Sequence, residues 1–389
     1  MPAEKESKQE LKYAATLSGV ITLRMLGLFL ILPVFMILAQ DVRGFSPQAA
    51  GIAVGIYGLT QAILQQPFGW LSDHWGRKPV LLLGLALFAL GGVVAAMAES
   101  MATLIAGRAL QGCGAIAGVA MALAADLTRP ERRPVIMAII GIGGAFLLSM
   151  GLSVPLATLL GLKGLFWLTV VFAIMGMGLV LTIPSIAVPV EEPVSENAFE
   201  MRPVWMLALS VFLLHGAMTL LFVSLPPMLV DQFGFSLAEH WKIYVPAMAG
   251  SILFMLPILR KVGTRHSESK MLPWAFIILA AAIGILPLSA SLAALGILLA
   301  VYFLGFNLLE AAMPALLSRI TGSRGRGRRL GIYSTFQFLG AFFGGVAGGM
   351  LLGYYGSEVA LLVAAAVSLA WGGILKWSSS SVFPTGEEK

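Results

Sequence analysis

Charge is what this chain has least of. Only 11% of its 389 residues are Asp, Glu, Lys or Arg, against about 25% in an ordinary soluble domain, which excludes a soluble globular fold. Cysteine is nearly absent as well. The single Cys113 lies inside an apolar run, so there is no disulfide framework and no metal-ligand cluster. No Walker A sequence, zinc spacing, nucleotide fold or nucleophile–base constellation appears, so ATP-driven work, enzymatic catalysis, a bound metal and a cofactor are not expected. A cleavable signal peptide is not expected either. The first apolar run begins near Tyr13 after a polar, Lys-bearing start and is too long for a signal h-region.

What the chain has in abundance is apolar length. Hydrophobic residues make up 58%, mean hydropathy is +0.91, and runs of about 20 apolar residues recur throughout. The reading is an all-α polytopic membrane protein of twelve spans, at 13–38, 48–72, 79–98, 101–125, 134–157, 163–184, 204–230, 239–259, 271–290, 292–318, 329–353 and 357–377. An acidic connection holding Glu191, Glu192, Glu196 and Glu200 separates six spans from six. The domains are therefore an N-terminal six-helix bundle over 1–184, a linker over 185–203 and a C-terminal bundle over 204–389.

Lys and Arg set the orientation. With the N-terminus in the cytoplasm, twenty of them fall inside, three (Arg43, Lys163 and Lys242) fall outside, and Arg24 and Arg108 fall within spans. That bias places both termini in the cytoplasm. It also accounts for the excess of 25 basic over 19 acidic residues without a nucleic-acid partner. The halves repeat weakly: Leu32-Pro33 and Gly44-Phe45-Ser46 return as Leu225-Pro226 and Gly234-Phe235-Ser236, about 190 residues on. Duplication of a six-helix unit follows from that offset.

Ten residues stand out against this background: Gly69-Trp-Leu-Ser-Asp73-His74-Trp-Gly76-Arg77-Lys78, a loop too short to let its flanking spans be anything but antiparallel neighbours. Asp73 and Arg77 are spaced to pair if span 2 stays helical. Asp126 closes span 4. Gly51, Gly55 and Gly58 in span 2, and Gly340, Gly344, Gly345, Gly348 and Gly349 in span 11, are spaced for close helix approach. Deep in the spans the ionisable residues are Arg24, Arg108, His215 and Glu310, in spans 1, 4, 7 and 10. Each is costly in hydrocarbon and so points to function. Glu310, the single acid deep in a span, is the expected proton carrier, or else a permanently ionised group locked to Arg24 or Arg108. His215 titrates with it or hydrogen-bonds a neighbouring helix. Arg24 sets the properties of the acid or binds a negative group of the substrate. Arg108 faces a polar cavity or snorkels to the outer interface. Tyr57 is expected to wall the cavity, with Asn307, Gln61 and Gln337 as uncharged polar contacts.

The pattern G-x-L-x-D-x-x-G-R-K resembles the signature loop between helices 2 and 3 of major facilitator superfamily transporters. Arg108-Ala-Leu-Gln111-Gly112-Cys-Gly114 resembles that superfamily's second motif, R-x-x-Q-G-x-G. The resemblance implies twelve helices in two pseudo-symmetric bundles. It also implies a cytoplasmic charge cluster built from Asp73, Arg77 and Asp126, facing helix 11 and latching the outward-facing state. Spans 1, 4, 7 and 10 would line a central cavity. Two departures matter. His74 stands where the superfamily usually has a basic residue, and could add pH sensitivity or be inert. The span 5 segment Gly151-Leu-Ser-Val-Pro155 keeps the Pro of the antiporter motif without a Gly directly before it. Leu23-Arg24-Met-Leu-Gly27, Gly55-Ile-Tyr57-Gly-Leu-Thr-Gln61, Glu239-His-Trp-Lys242 and Phe306-Asn307-Leu-Leu-Glu310 look like the YajR type of bacterial facilitator. That type carries a ferredoxin-like domain after helix 12, which is expected to be absent here.

The implied function is proton-coupled export of a small, partly apolar molecule across a bacterial inner membrane, by a monomer whose partners are that substrate, protons and lipid. The alternatives are sugar, metabolite or organic-anion transport by the same fold, or a non-transporting membrane sensor. A channel fits less well, since charge rings and a repeated filter segment are missing.

Overall fold

The computed structural model describes residues 2–128, 144–184, 201–261, 265–321 and 326–382. Among these the chain is helical without β-strands. Spans 2, 3, 7 and 10 are the single helices Pro47–Trp75, Arg77–Ala96, Arg202–Phe233 and Leu292–Thr321. Spans 8 and 9 are Trp241–Lys261 and Arg265–Ile285, flanked by the 3-10 turns Leu237–Glu239 and Leu286–Leu288. Spans 5 and 6 run together as Gly144–Leu181, and spans 11 and 12 as Arg326–Val382. Gly161 (φ 63°) and Gly356 (φ 85°) break these stretches, in a left-handed conformation that a Cβ disfavours. Among the described residues, eight stretches are long and apolar enough to cross a bilayer. Two of them hold a pair of spans each, and the more polar helices of spans 1 and 2 bring the total to twelve. Residues 134–143 of span 5, the linker residues 185–200, and Arg129, Arg132, Arg133 and Arg324 lie outside the described residues.

Two spans depart from the continuous helices expected. Span 1 is the helix Pro2–Phe29, then a turn through Pro33, then the short helix Phe35–Leu38. Proline supplies no N–H to continue the ladder, and the Leu30 carbonyl at the turn accepts from Ser153 Oγ at 2.6 Å. Span 4 is two helices, Met101–Gly112 and Ala117–Asp126, with non-helical backbone between them. The glycines at the break sit in full contact. A Cβ on Gly112 would lie 2.2 Å from the Tyr57 carbonyl, and one on Gly114 would lie 2.4 Å from that of Gly84. Thr60 Oγ1 donates to the Ala109 carbonyl at 2.8 Å, partnering backbone where the helix is about to end.

The two Gly-Phe-Ser segments fold alike at their first residue. Gly44 and Gly234 both take positive φ, 81° and 59°. At Gly234 this ends span 7, with Gly234 N–H donating to the Val230 carbonyl and Phe235 N–H to that of Leu229, so that the left-handed residue satisfies the last carbonyls of the helix. After Gly44, Ser46 Oγ accepts from Ala49 N at 3.1 Å and caps span 2.

Packing divides the chain into two compact units, Met1–Phe45 with Ile56–Glu192, and Ser46–Gly55 with Pro193–Lys389. The core of the first joins Leu17 and Val20 of span 1 to Val80, Leu81 and Leu85 of span 3 and to Ile116, Val119 and Leu123 of span 4. In the second, Phe222 lies 6.2 Å from Tyr244 and 6.3 Å from Phe303 between ring centres, all fully buried. Leu159, Phe254, Leu288, Ile297 and Trp377 are instead largely exposed. So much apolar surface turned outward is stable only against lipid.

Glycine sets the closest helix crossings of the second unit. Gly340 and Gly344 of span 11 meet span 7: a Cβ would lie 2.1 Å from the Phe212 carbonyl and 2.2 Å from that of Gly216, respectively. On another face of span 11, Gly345 and Gly349 meet Gly51 and Gly55, the part of span 2 that belongs to this unit. A Cβ on Gly51 would come within 2.3 Å of the Gly345 carbonyl. The sequence spacing of small residues thus corresponds to backbone-to-backbone contact.

Candidate functional site

Three polar clusters hold the residues singled out in the sequence. The first forms at the loop between spans 2 and 3. Gly76 takes φ 93°, so the helix of span 2 ends at Trp75 and that of span 3 begins at Arg77 with a single residue between them. This geometry brings Arg77 back over the end of span 2. Its Nη1 bonds Asp73, one turn earlier, and donates to Ser72 Oγ at 2.7 Å; its Nε donates to Asp126 Oδ2 at 3.1 Å. Arg77 and Asp126 are largely buried, with side chains 13% and 14% exposed, whereas Asp73 is 55% exposed. The Arg77–Asp126 pair is therefore the part that matters most for stability, because exposed pairs contribute little.

Neighbours fix the remainder of this loop. Lys78 Nζ donates to the carbonyls of Leu181 and Ile183 at 3.0 and 2.7 Å, placing a cation on the negative end of the span 6 helix. His74 donates from Nδ1 to the Trp70 carbonyl at 2.8 Å, with its ring 4.2 Å from the Trp70 ring. A Cβ on Gly69 would meet nothing within 4 Å.

The second cluster lies in the membrane interior of the same unit. Arg24, 3% exposed, donates from Nη2 to Tyr57 Oη at 2.8 Å and to Gln61 Oε1 at 2.5 Å. Arg108, 4% exposed, donates from Nη1 to Gln111 Oε1 at 2.9 Å, and Gln111 passes the chain on to Thr169 Oγ1 at 3.0 Å. The Tyr57 ring lies beside both guanidinium carbons, 6.0 Å from that of Arg24 and 5.1 Å from that of Arg108. This burial overturns the snorkelling alternative for Arg108, whose head is held inward by Gln111. Gln111 was visible beforehand as the Gln of R-x-x-Q-G. Thr169 gave no signal, being one hydroxyl in an apolar span.

The third cluster joins spans 7, 10 and 11 of the second unit. His215 Nδ1 donates to the Val211 carbonyl at 3.2 Å, one turn back. That leaves Nε2 as an acceptor, and the Gln337 amide nitrogen donates to it at 2.8 Å. The same nitrogen donates to Glu310 Oε1 at 3.2 Å. Glu310 Oε2 is buried, has no hydrogen-bond partner among the described residues, and lies 3.7 Å from His215 Nε2. The Glu310 side chain as a whole is 40% exposed within the chain. Asn307, one turn before it, points elsewhere, donating to Ser251 Oγ at 2.9 Å. Ser251 was missed from sequence, as was Tyr333, whose buried hydroxyl has no partner among the described residues.

Such an arrangement can hold and release a proton. It contains no nucleophile–base pair, and among the described residues no group of three or more His, Cys, Asp or Glu is placed to hold a metal. Known transporters match this chain in sequence and in shape. The model of the Major Facilitator Superfamily matches residues 17–306 and 207–385. The Inner membrane transport protein YajR of Escherichia coli is 37% identical over 367 residues, covering 91% of this chain and 80% of that protein. Multidrug resistance protein 1 of Bacillus subtilis is 25% identical, covering 89% and 92%. Among solved structures, a D-xylose-proton symporter superposes with a TM-score of 0.76 at 15% identity, covering 94% of this chain and 96% of that one.

Proposed function

The chain is a member of the major facilitator superfamily, a multi-pass membrane transporter and not an enzyme, and on that premise we propose that it exports a small, partly apolar molecule in exchange for protons. The observation that carries this reading is the amide of Gln337 shared between His215 and Glu310. It leaves His215 Nε2 accepting from the amide, and Glu310 with a second oxygen, Oε2, that is buried and has no hydrogen-bond partner among the described residues. An arriving proton has two places to go. On Oε2 it neutralises the acid directly. On His215 Nε2 it evicts the Gln337 N–H, and the imidazolium then faces Oε2 across the 3.7 Å gap. Either way one proton is stored by a local rearrangement, and the partly exposed carboxylate gives it a route in and out.

Export is favoured over uptake by the relative named for multidrug resistance. In this reading the protein sits as a monomer in a bacterial inner membrane with both termini cytoplasmic. Residues 1–184 and 204–389 are its two moving halves, which alternate access to the site. Asp73, Arg77 and Asp126 form the cytoplasmic latch.

The test is proton release from detergent-purified protein, read with a pH-sensitive dye on addition of ethidium, D-xylose or benzoate, in the wild type and in Glu310→Gln. Release by one of these that is absent from Glu310→Gln supports competition between substrate and proton at Glu310. Binding without any proton change, equal in both proteins, overturns proton coupling and leaves a uniporter or a sensor.

A further inference from the structure

Beside the Gln337 bridge two buried polar atoms have no hydrogen-bond partner among the described residues, Glu310 Oε2 and Tyr333 Oη. The first can only accept once the acid is charged, whereas the second can donate. His215 Nε2, 3.7 Å from Oε2, offers it no proton, because its lone pair is engaged by Gln337. Tyr333, 5% exposed, stands one turn before Gln337 on span 11, and so on the same face of that helix. The charge of Glu310 acts on the Tyr333 hydroxyl. In the orientation proposed above span 11 runs outward, which puts Tyr333 on the cytoplasmic side of Gln337. The packed helices bring little else to the acid. Over 204–230, 243–259, 271–290, 330–353 and 359–375, His215 is the single Asp, Glu, Lys, Arg or His. Of the other tyrosines in these interiors, Tyr244 is on span 8, and Tyr302 on span 10 stands about 12 Å further out along the helix than Glu310.

We infer that Tyr333 is the second donor to Glu310: once the acid has lost its proton, a turn of the carboxylate brings Oε2 onto the Tyr333 hydroxyl while Gln337 keeps Oε1. Tyr333 is then a positioning residue that favours release of the proton, and its own proton stays on the ring oxygen throughout. This rests on the reading of Glu310 as the proton carrier and adds what makes that carrier let go. A hydroxyl donating to a carboxylate is a charge-assisted bond, worth more to the charged form than to the acid. Without it Oε2 of the charged form would stay in the interior beside a lone pair, with no donor. The site would then hold its proton up to a higher pH.

Infrared difference titration of the purified full-length protein in detergent tests this. The carboxylic-acid C=O band that Glu310→Gln lacks marks the protonated acid, and its loss with rising pH gives a midpoint. In Tyr333→Phe, which removes the hydroxyl and keeps the ring, the midpoint should rise by about 1 pH unit. That is a tenfold gain in proton affinity, the lower end of what a hydrogen bond to a charged group contributes. Tyr302→Phe removes another buried hydroxyl without a partner among the described residues and should leave the midpoint where it is. Should Tyr333→Phe not fold, the wild type still decides: a tyrosine C–O band must shift as Glu310 titrates and must not shift in Glu310→Gln. A midpoint unchanged or lowered in Tyr333→Phe, an equal rise in Tyr302→Phe, or a tyrosine band indifferent to Glu310 would each overturn the role of Tyr333 and leave proton carriage by Glu310 standing. A wild type in which no such carboxyl band titrates would overturn proton carriage itself, and this role with it.

Discussion

The sharpest expectation concerns the crossing of spans 7 and 11, where the same interface contains glycines that must be glycine and one that need not be. In Gly344→Ala the new Cβ would stand 2.2 Å from the Gly216 carbonyl oxygen and 2.7 Å from its Cα. Ordinary contact begins at 3.4 Å, so the helices must separate by about 1 Å, and the obstacle is backbone, which cannot rotate away. Overpacking of this kind costs about 1–3 kcal/mol. Gly340→Ala faces the Phe212 carbonyl at 2.1 Å and should cost as much. Gly216→Ala, across the same seam, meets the Gly340 carbonyl at 3.4 Å and should be nearly neutral. Gly373→Ala in span 12 meets nothing within 4 Å and should gain about 0.5–1 kcal/mol from helix propensity. Cys113, the chain's single cysteine, reports unfolding through a thiol-reactive dye during a thermal ramp. The expected order of stability is Gly373→Ala, wild type with Gly216→Ala, then Gly344→Ala with Gly340→Ala. If Gly216→Ala and Gly344→Ala melt together, the crossing is looser than described and the argument from steric contact fails.

Two further outcomes follow from single hydrogen bonds. Arg77→Met removes the cation from the largely buried Asp126 and should cost about 3 kcal/mol, while Arg77→Met combined with Asp126→Leu should recover most of that loss in the same thermal assay. Thr60→Val removes one of the donors to the Ala109 carbonyl beside the break in span 4, which keeps its bond from Cys113 N at 3.2 Å, and should cost about 0.5–1.5 kcal/mol. If it leaves the melting temperature unchanged, the Cys113 N–H satisfies that carbonyl alone and the Thr60 hydroxyl adds nothing.

Much of this arrangement could be read from residue types alone, because hydrocarbon penalises polar groups so heavily that each one left in a span is informative. The four interior ionisable groups are of that kind; the glycine spacing of spans 2 and 11 and the four-residue spacing of Asp73 and Arg77 were legible as spacings, and the joining of Asp126 to that pair came from the superfamily resemblance. The partners were harder to see. Gln337 could be named as a polar contact, but its role as a bridge between His215 and Glu310 depends on the rotation of three helices about their axes, which hydropathy does not encode. Thr169, Ser251 and Tyr333 each carry one hydroxyl, too cheap in a span to stand out. The break in span 4 was hidden for a related reason. Hydropathy averages across residues 113–116, where Gly, Ala and Ile look as apolar as any helix, and only the close approach of Tyr57 and Gly84 ends the helical ladder there. Tyr57 itself changed character, from an expected cavity wall to a buried hydrogen-bond partner of Arg24.

The seating of Arg24 also bears on how the chain is made. Its hydrogen-bond partners, Tyr57 and Gln61, arrive 33 and 37 residues later in synthesis. Until then span 1 would have to enter the bilayer with an Arg near its middle, at a cost of about 2.5–3.5 kcal/mol on the insertion scale. Spans 1 and 2 are also the ones outside the eight stretches that qualify by length and hydropathy. The translocon therefore has reason to hold span 1 until span 2 has emerged and to release the two as a hairpin with the guanidinium already bonded. Substitutions at Gln61 or Tyr57 would then lower the yield of inserted protein before any transport could be measured.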